Sequence, residues 1–351
     1  MGTSRPGRAL LAAVALALGG AAGAGAATGS LQTSSTALWS SLQRRCGHVA
    51  SILEPYRWPI KPFDRQHPVR GFFGDPRTFY AELGSESGPS TDGLFSFHNG
   101  VDIVAHAGTK VYSVLSGVVT RATVDEIVVR SGSRAFQYWH LTPKVSAGER
   151  VTGLRTVVGV VRPGPGHVHL TELRSGCVVN PLAPDHLTPY RDRTTPLVLA
   201  IEVRSREGNV LDVHRLRRPF ELDALAEDFP SPAVPGLWHG MPVTPALIRW
   251  RLTGPDGAVV VRDRIAADFR TTIPANADFW DVYAADTHEN FPEVPTMTES
   301  LERGRYIFRL TPPCDPLRLA PGTYTVTVWA SDTGGNTGTL SRQLVVGGPR
   351  L

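Results

Sequence analysis

The chain has 351 residues, of which 41% are hydrophobic and 19% charged, a balance that excludes both a polytopic membrane protein and a mainly disordered one. Its net charge of +4 comes without any Lys/Arg block interleaved with aromatics, so nucleic-acid binding is not expected. With 35 glycines and 29 prolines, short strands and turns are favoured over long helices.

Arg5 and Arg8 precede an apolar run over residues 9–18, and Ala24-Gly25-Ala26 fits an A-x-A cleavage site. The run is shorter than the roughly 20 residues that a spanning helix needs. Residues 1–26 therefore read as a secretory signal, and the mature protein is expected in the cell envelope or outside the cell, with no stable membrane insertion. Residues 27–54 are Ser/Thr/Ala-rich, then weakly amphipathic, and read as a leader.

From residue 55 to 182, short strand-like segments alternate with glycine turns: Lys110 to Leu115, Val118-Val119, Ile127 to Arg130, Ala135 to Trp139 and Val157 to Val161. This is the pattern of an antiparallel sheet. A Pro-rich polar stretch, 183–196, reads as a linker. Residues 197–348 again read as β, with a hairpin signal at Gly254-Pro255-Asp256-Gly257 and alternation through Tyr324, Val326 and Val328. The expected fold is all-β, a small antiparallel β domain followed by an Ig-like β-sandwich. Within the second half, 222–228 reads as a short helical segment and 276–297 as a loop. The turn Asp332-Thr333-Gly334-Gly335-Asn336 offers side-chain oxygens that suit Ca²⁺, but a plain turn is the stronger reading. Of the three cysteines, Cys46, Cys177 and Cys314, at most one pair can bridge; Cys46 with Cys177 is one option, and no C-x-x-C is present.

The chemistry concentrates in five polar residues. His98 and Asp102 lie four apart, His167 and His169 two apart on one strand face, and His140 ends a strand-like run after Tyr138-Trp139. Each piece alone has a bland reading: His-x-His as surface or capped histidines, Asp102 as a turn residue beside glycine, His140 as part of an aromatic cluster. Together, four imidazoles and a carboxylate in one groove would suit zinc hydrolysis, because neutral imidazole nitrogen and carboxylate oxygen are common Zn²⁺ ligands.

Several blocks, in order over residues 69–182, resemble the lysostaphin/LytM-type zinc endopeptidases, peptidase family M23. His98-Asn99-Gly100-Val101-Asp102 resembles the family's H-x-G-x-D motif, and Tyr138-Trp139-His140-Leu141 its Y-x-H-L segment. Gly166-His167-Val168-His169-Leu170 resembles its G-x-H-L-H-F segment, and Gly71 to Arg77 its G-F-G-x-R segment. The resemblance implies zinc ligands at His98, Asp102 and His169. It also implies that His140 and His167 position water and stabilise the tetrahedral intermediate, and that the substrate is a peptide of bacterial peptidoglycan. There are departures. Leu170 stands where the family usually has Phe, Thr171 where it usually has Glu, and the loop before His167 is short. The alternative expectations are a non-hydrolytic envelope factor that binds wall or regulates another hydrolase, and an adhesion module carried by the sandwich.

Overall fold

The computed structural model describes residues 34–50, 54–78, 95–164, 166–290, 302–312 and 317–347. The expected signal (1–26), most of the polar insertion before His98, and Cys314 lie outside these residues. Strands make up 44% of the structure and helix 8%, so the all-β expectation holds. Among the described residues, no helix is long and apolar enough to cross a membrane.

The first half contributes thirteen strands: β1 (Val69–Gly71), β2 (Pro76–Arg77), β3 (Ser96–Phe97), β4 (Val101–Val104), β5 (Lys110–Tyr112), β6 (Gly117–Ala122), β7 (Glu126–Ser131), β8 (Arg134–Trp139), β9 (Leu141–Pro143), β10 (Arg150–Val151), β11 (Val157–Val161), β12 (His167–Arg174) and β13 (Cys177–Val179). The main antiparallel sheet runs β1-β4-β12-β8-β7-β6-β10, with β13 also paired to β12. A three-stranded sheet, β5-β11-β9, and a short β2-β3 ladder complete it. Alternation drives the layering. Phe136 and Tyr138 of β8, Ile127 and Val129 of β7, and Val168 and Leu170 of β12 are all fully buried. The same period of two sends His167 and His169 to the opposite face.

The second half supplies β14 (Leu197–Arg204), β15 (Glu221–Glu227), β16 (Leu247–Thr253), β17 (Val259–Asp268), β18 (Ile307–Arg309), β19 (Gly322–Ser331) and β20 (Thr337–Val346). They form a three-stranded sheet, β14-β15-β18, and a four-stranded sheet, β17-β16-β19-β20. β14 packs on β19 and β20, enclosing Ile201, Val203, Leu222, Trp250, Val326, Val328 and Leu344.

Two local expectations are corrected. Residues 222–228 are not helical: 221–227 are the central strand β15, with Leu222 opposite Val203 on one side and Ala224 opposite Phe308 on the other. Leucine, alanine and glutamate favour helix locally, but pairing on both edges and burial of Leu222, Ala224 and Ala226 outweigh that preference. The stretch from 276 is not all loop: a 3₁₀ turn at Asn276–Asp278 leads into one helical turn, Phe279–Val282. An aromatic cluster of Phe95, Phe97, Phe269, Phe279 and Tyr283 orders it, and that cluster joins residues far apart in sequence.

The described part of the leader (34–50) and the expected linker are both packed. A helix, Ser34–Leu42, continues through Gln43–Gly47 and His48–Ala50. Trp39 donates its indole N–H to the Ala266 carbonyl (3.1 Å) and sets its ring edge against Phe269. Cys46 is disulfide-bonded to Cys177, closing a separation of 131 residues. Residues 183–196 carry no regular strand, yet Leu187 and His186 are buried, and the Trp58 indole donates to the Pro189 carbonyl at 2.8 Å.

A cross-link over so long a loop restricts the unfolded chain strongly, so replacing both Cys46 and Cys177 by alanine should lower unfolding stability by about 2–5 kcal/mol. Urea denaturation of the double variant beside the parent is the check; an unchanged midpoint would show that the bridge does not restrain the fold.

Candidate metal centre and groove

Strand register builds the site. β12 lies between β4 and β8, with His169 directly opposite Asp102 on one side and Trp139 on the other. Directly opposed residues in a ladder present their side chains to the same face, which brings the carboxylate to the imidazole. His98 arrives differently from the way its spacing implied. It does not share a strand with Asp102; it sits in the connection between β3 and β4. There its backbone N–H donates to the Asp75 carbonyl and its own carbonyl accepts from the Gly74 N–H, at 2.8 and 2.9 Å.

Three atoms then converge. His98 Nε2 is 2.8 Å from His169 Nδ1, and Asp102 Oδ1 is 3.1 Å from each. The second nitrogen of each ring fixes its tautomer. His98 Nδ1 lies 2.8 Å from the Phe72 carbonyl, which can only accept, so the ring proton is on Nδ1 and Nε2 offers a lone pair. His169 Nε2 lies 2.8 Å from the Thr171 hydroxyl; donating there leaves the lone pair on Nδ1. Three acceptors therefore face one another in a buried place, where His98, Asp102 and His169 are 3%, 4% and 8% exposed. Such an arrangement is repulsive until a cation sits among them. The separations approach the ~3.3 Å edge of a tetrahedron with arms of 2.0–2.1 Å. Two imidazole nitrogens and one carboxylate oxygen so placed form a group that could hold a metal ion.

Electrostatics keep the donors in the binding form. Burial pushes His98 down to about 3, helped by the Arg77 guanidinium. Burial, with Arg70, pushes His167 down to about 4, and burial also lowers His140. Burial alone would raise Asp102, but His98, His167 and Arg77 hold it well below the usual carboxylate range. With both rings neutral, the Arg77 guanidinium, 2.8 Å from Asp102 Oδ2, is the cation that keeps the carboxylate ionised. Two glycines let the parts approach: a Cβ at Gly100 would fall 2.7 Å from His169 Nε2, and one at Gly71 would fall 2.5 Å from Asp102 Oδ2.

The structure also brings His167 and His140 together, beside the convergent trio. His167 Nε2 is 3.4 Å from Asp102 Oδ1, and the two rings stand edge to face at 4.6 Å. His140 is partly exposed and adopts a left-handed backbone (φ 67°), at the corner between β8 and β9. That conformation is uncommon outside glycine and is a feature found at functional sites. All five residues line one groove of about 910 Å³. Arg45 and Val49 of the N-terminal helix, the Cys46–Cys177 bridge, residues 272–276 and Glu289 also line it.

Sequence reasoning missed the groups that hold the five in place. Arg77 lay inside a quoted block, but its role came from no motif; Glu289 Oε2, at 3.4 Å, anchors its other nitrogen. Asp125 approaches His140 Nδ1 at 3.8 Å. Thr171, a departure from the pattern it resembled, turns out to be the partner of His169. Only the Thr171 spacing, two residues after His169 on the same strand face, was available as a signal.

No family model and no curated protein matches the chain. Similar solved structures include one described as the SpoIIQ–SpoIIIAH pore-forming complex, at 19% identity over 39% of this chain and 92% of that one, with a TM-score of 0.29. Another is the catalytic domain of the prophage-encoded M23 protein EnpA from Enterococcus faecalis, a point mutant, at 21% identity over 28% and 91%, with a TM-score of 0.22. Lysostaphin is similar at 17% identity over 68% and 85%, with a TM-score of 0.25. These neighbours include M23 peptidases, at low identity and partial coverage.

Two measurements check this geometry. In chelator-treated protein the ring resonances of His98 and His167 should stay those of neutral imidazole from about pH 8 down to about pH 5, whereas an ordinary histidine titrates near 6.5; titration near 6.5 would contradict the burial described. Arg77→Gln should weaken the affinity of the three-residue group for a divalent metal by about 10–100-fold, as loss of an outer partner of a ligand does, read by competition with a chromogenic chelator.

Proposed function

We propose that the chain is an exported zinc endopeptidase that hydrolyses peptide bonds in the stems or cross-bridges of bacterial peptidoglycan. The observation that carries the proposal is the convergence of His98 Nε2, Asp102 Oδ1 and His169 Nδ1 to within 3.1 Å of one another on the floor of an open groove. His98, Asp102 and His169 are the residues that would hold the ion. Bound there, zinc would polarise the scissile carbonyl and lower the pKa of a water towards about 7.

The rest is done by the chain. His140 and His167, neutral and adjacent, are placed to take a proton from the attacking water and to donate a hydrogen bond to the oxyanion that develops on the carbonyl oxygen. His140, at the groove surface, is the better placed to exchange protons with solvent. Asp102 acts as a ligand only, because its outer oxygen is committed to Arg77. The groove, of about 910 Å³, has room for several residues of a peptide. The choice of wall peptide follows from the resemblance and from the export signal read in residues 1–26. We assign the chemistry to residues 55–182, with 197–348 as a β-sandwich that supports one wall of the groove.

Purified mature protein should hold about one zinc per chain by elemental analysis and should release soluble fragments from purified peptidoglycan. Chelation or His169→Ala should abolish both. His140→Ala should keep the metal and lose about 10²–10⁴-fold in rate. Protein that holds no zinc at micromolar metal would overturn the assignment. Protein that binds zinc and wall but cleaves no bond at any pH would be the non-hydrolytic envelope factor instead.

A further inference from the structure

Away from the groove, three buried carboxylates meet where the stretch 183–196 reaches the second half. Asp192 comes from that stretch, Asp228 directly follows β15, and Asp332 follows β19. One oxygen from each lies within 4.8 Å of the others, and the residues are 7%, 0% and 3% exposed.

Their hydrogen bonds account for all but one oxygen. Asp192 Oδ1 accepts from the Thr194 N–H and hydroxyl at 3.0 and 2.7 Å, and its Oδ2 accepts from the Tyr190 hydroxyl at 2.9 Å. Asp332 accepts from the Asn336 N–H at 2.9 Å and from its side-chain amide at 2.6 Å. Asp228 Oδ1 accepts from the Phe229 N–H at 2.8 Å, but Asp228 Oδ2, in a side chain with no exposed surface, has no hydrogen-bond partner. Among the described residues, no arginine, lysine or histidine is recorded within ion-pair distance of any of the three; the ion pairs recorded there join other residues. Asp228 and Asp332 border one small cavity with Asn180 and Thr244.

Three like charges without a counter-ion and with an unsatisfied oxygen do not coexist in a protein interior. They must either take up protons or hold a cation. Burial and the neighbouring carboxylates of Asp192 and Asp332 raise Asp228 to about 8, a measure of that strain. The donors are all oxygen, which selects a hard ion and disfavours zinc or copper. A site closed by protein leaves little space for the waters that Mg²⁺ retains, whereas Ca²⁺ accepts carboxylates in irregular geometry at 2.3–2.6 Å.

We propose that Asp192, Asp228 and Asp332 form a Ca²⁺ site that fastens the stretch 183–196 to the loops following β15 and β19. The site is separate from the groove and does not depend on the peptidase reading. It acts by stabilising the junction, so its effect is read in stability rather than in turnover.

The test uses full-length mature protein and its His169→Ala variant, so that loss of zinc cannot imitate loss of calcium. After dialysis against EGTA, addition of CaCl₂ to a hundred-fold excess over Kd should raise the melting temperature by at least about 3 °C in both. MgCl₂ should raise it less. Tb³⁺ added to the same protein should give emission sensitised through Tyr190, displaced by Ca²⁺. Asp228→Asn should remove the calcium-dependent shift and the displaceable emission, and Asp332→Asn serves if that variant does not fold. If neither a calcium-dependent shift nor displaceable Tb³⁺ emission is seen in the parent protein, the three carboxylates share protons and the proposal fails. It fails equally if both responses survive in folded Asp228→Asn and Asp332→Asn.

Discussion

Two imidazole lone pairs and a carboxylate oxygen, aimed at one another inside a protein, repel. Everything around the groove floor serves to hold them there. The ladder between β4 and β12 sets His169 against Asp102, the Phe72 carbonyl pins the proton of His98 on the far nitrogen, and the Thr171 hydroxyl does the same for His169. Burial and Arg77 together make protonation of His98 an unfavourable escape from the repulsion. What is left is a group of lone pairs that could hold a cation, arranged by the fold before any ion arrives. This is preorganisation in the ordinary physical sense, with the cost met by the packing of the surrounding sheet.

The second half takes part in that packing. Thr244 donates its N–H to Asp75, which in turn caps the segment that carries Phe72 and Gly74. The Tyr283 hydroxyl donates to the Gly74 carbonyl at 2.7 Å, and the Asn276 side chain accepts from the Phe97 N–H. Glu289 reaches both Arg77 and the Thr78 N–H. The loop bearing His98, and the arginine behind Asp102, are therefore braced from residues some 170 to 210 positions away in sequence. The N-terminal helix is tied to the same groove through the Cys46–Cys177 bridge.

How much of this was legible follows from the range of each interaction. Strand alternation is local, so β7, β8, β11 and β19 could be read from runs of valine, isoleucine and aromatics. The five polar residues could be singled out because their spacing and blocks resembled a known family. Their convergence could not, since it depends on the register of β12 between two strands that precede it by 28 residues or more in sequence. The helical reading of 222–228 failed for a related reason: propensity is a property of a short window, and the two strands that flank β15 are not in it. Arg77, Glu289 and Asp125 escaped notice because a charged residue carries no mark in sequence of what it will face.

The bracing of the groove from both ends of the chain has an evolutionary consequence. Many multidomain proteins can be shuffled as cassettes, because each module keeps its shape when its neighbour is exchanged. Here the floor of the groove leans on side chains of the appendage, including Thr244, Asn276, Tyr283 and Glu289. Grafting another C-terminal module onto residues 55–182 would remove those props along with whatever else the module does. The two halves are bound to diverge together, each recording the substitutions of the other.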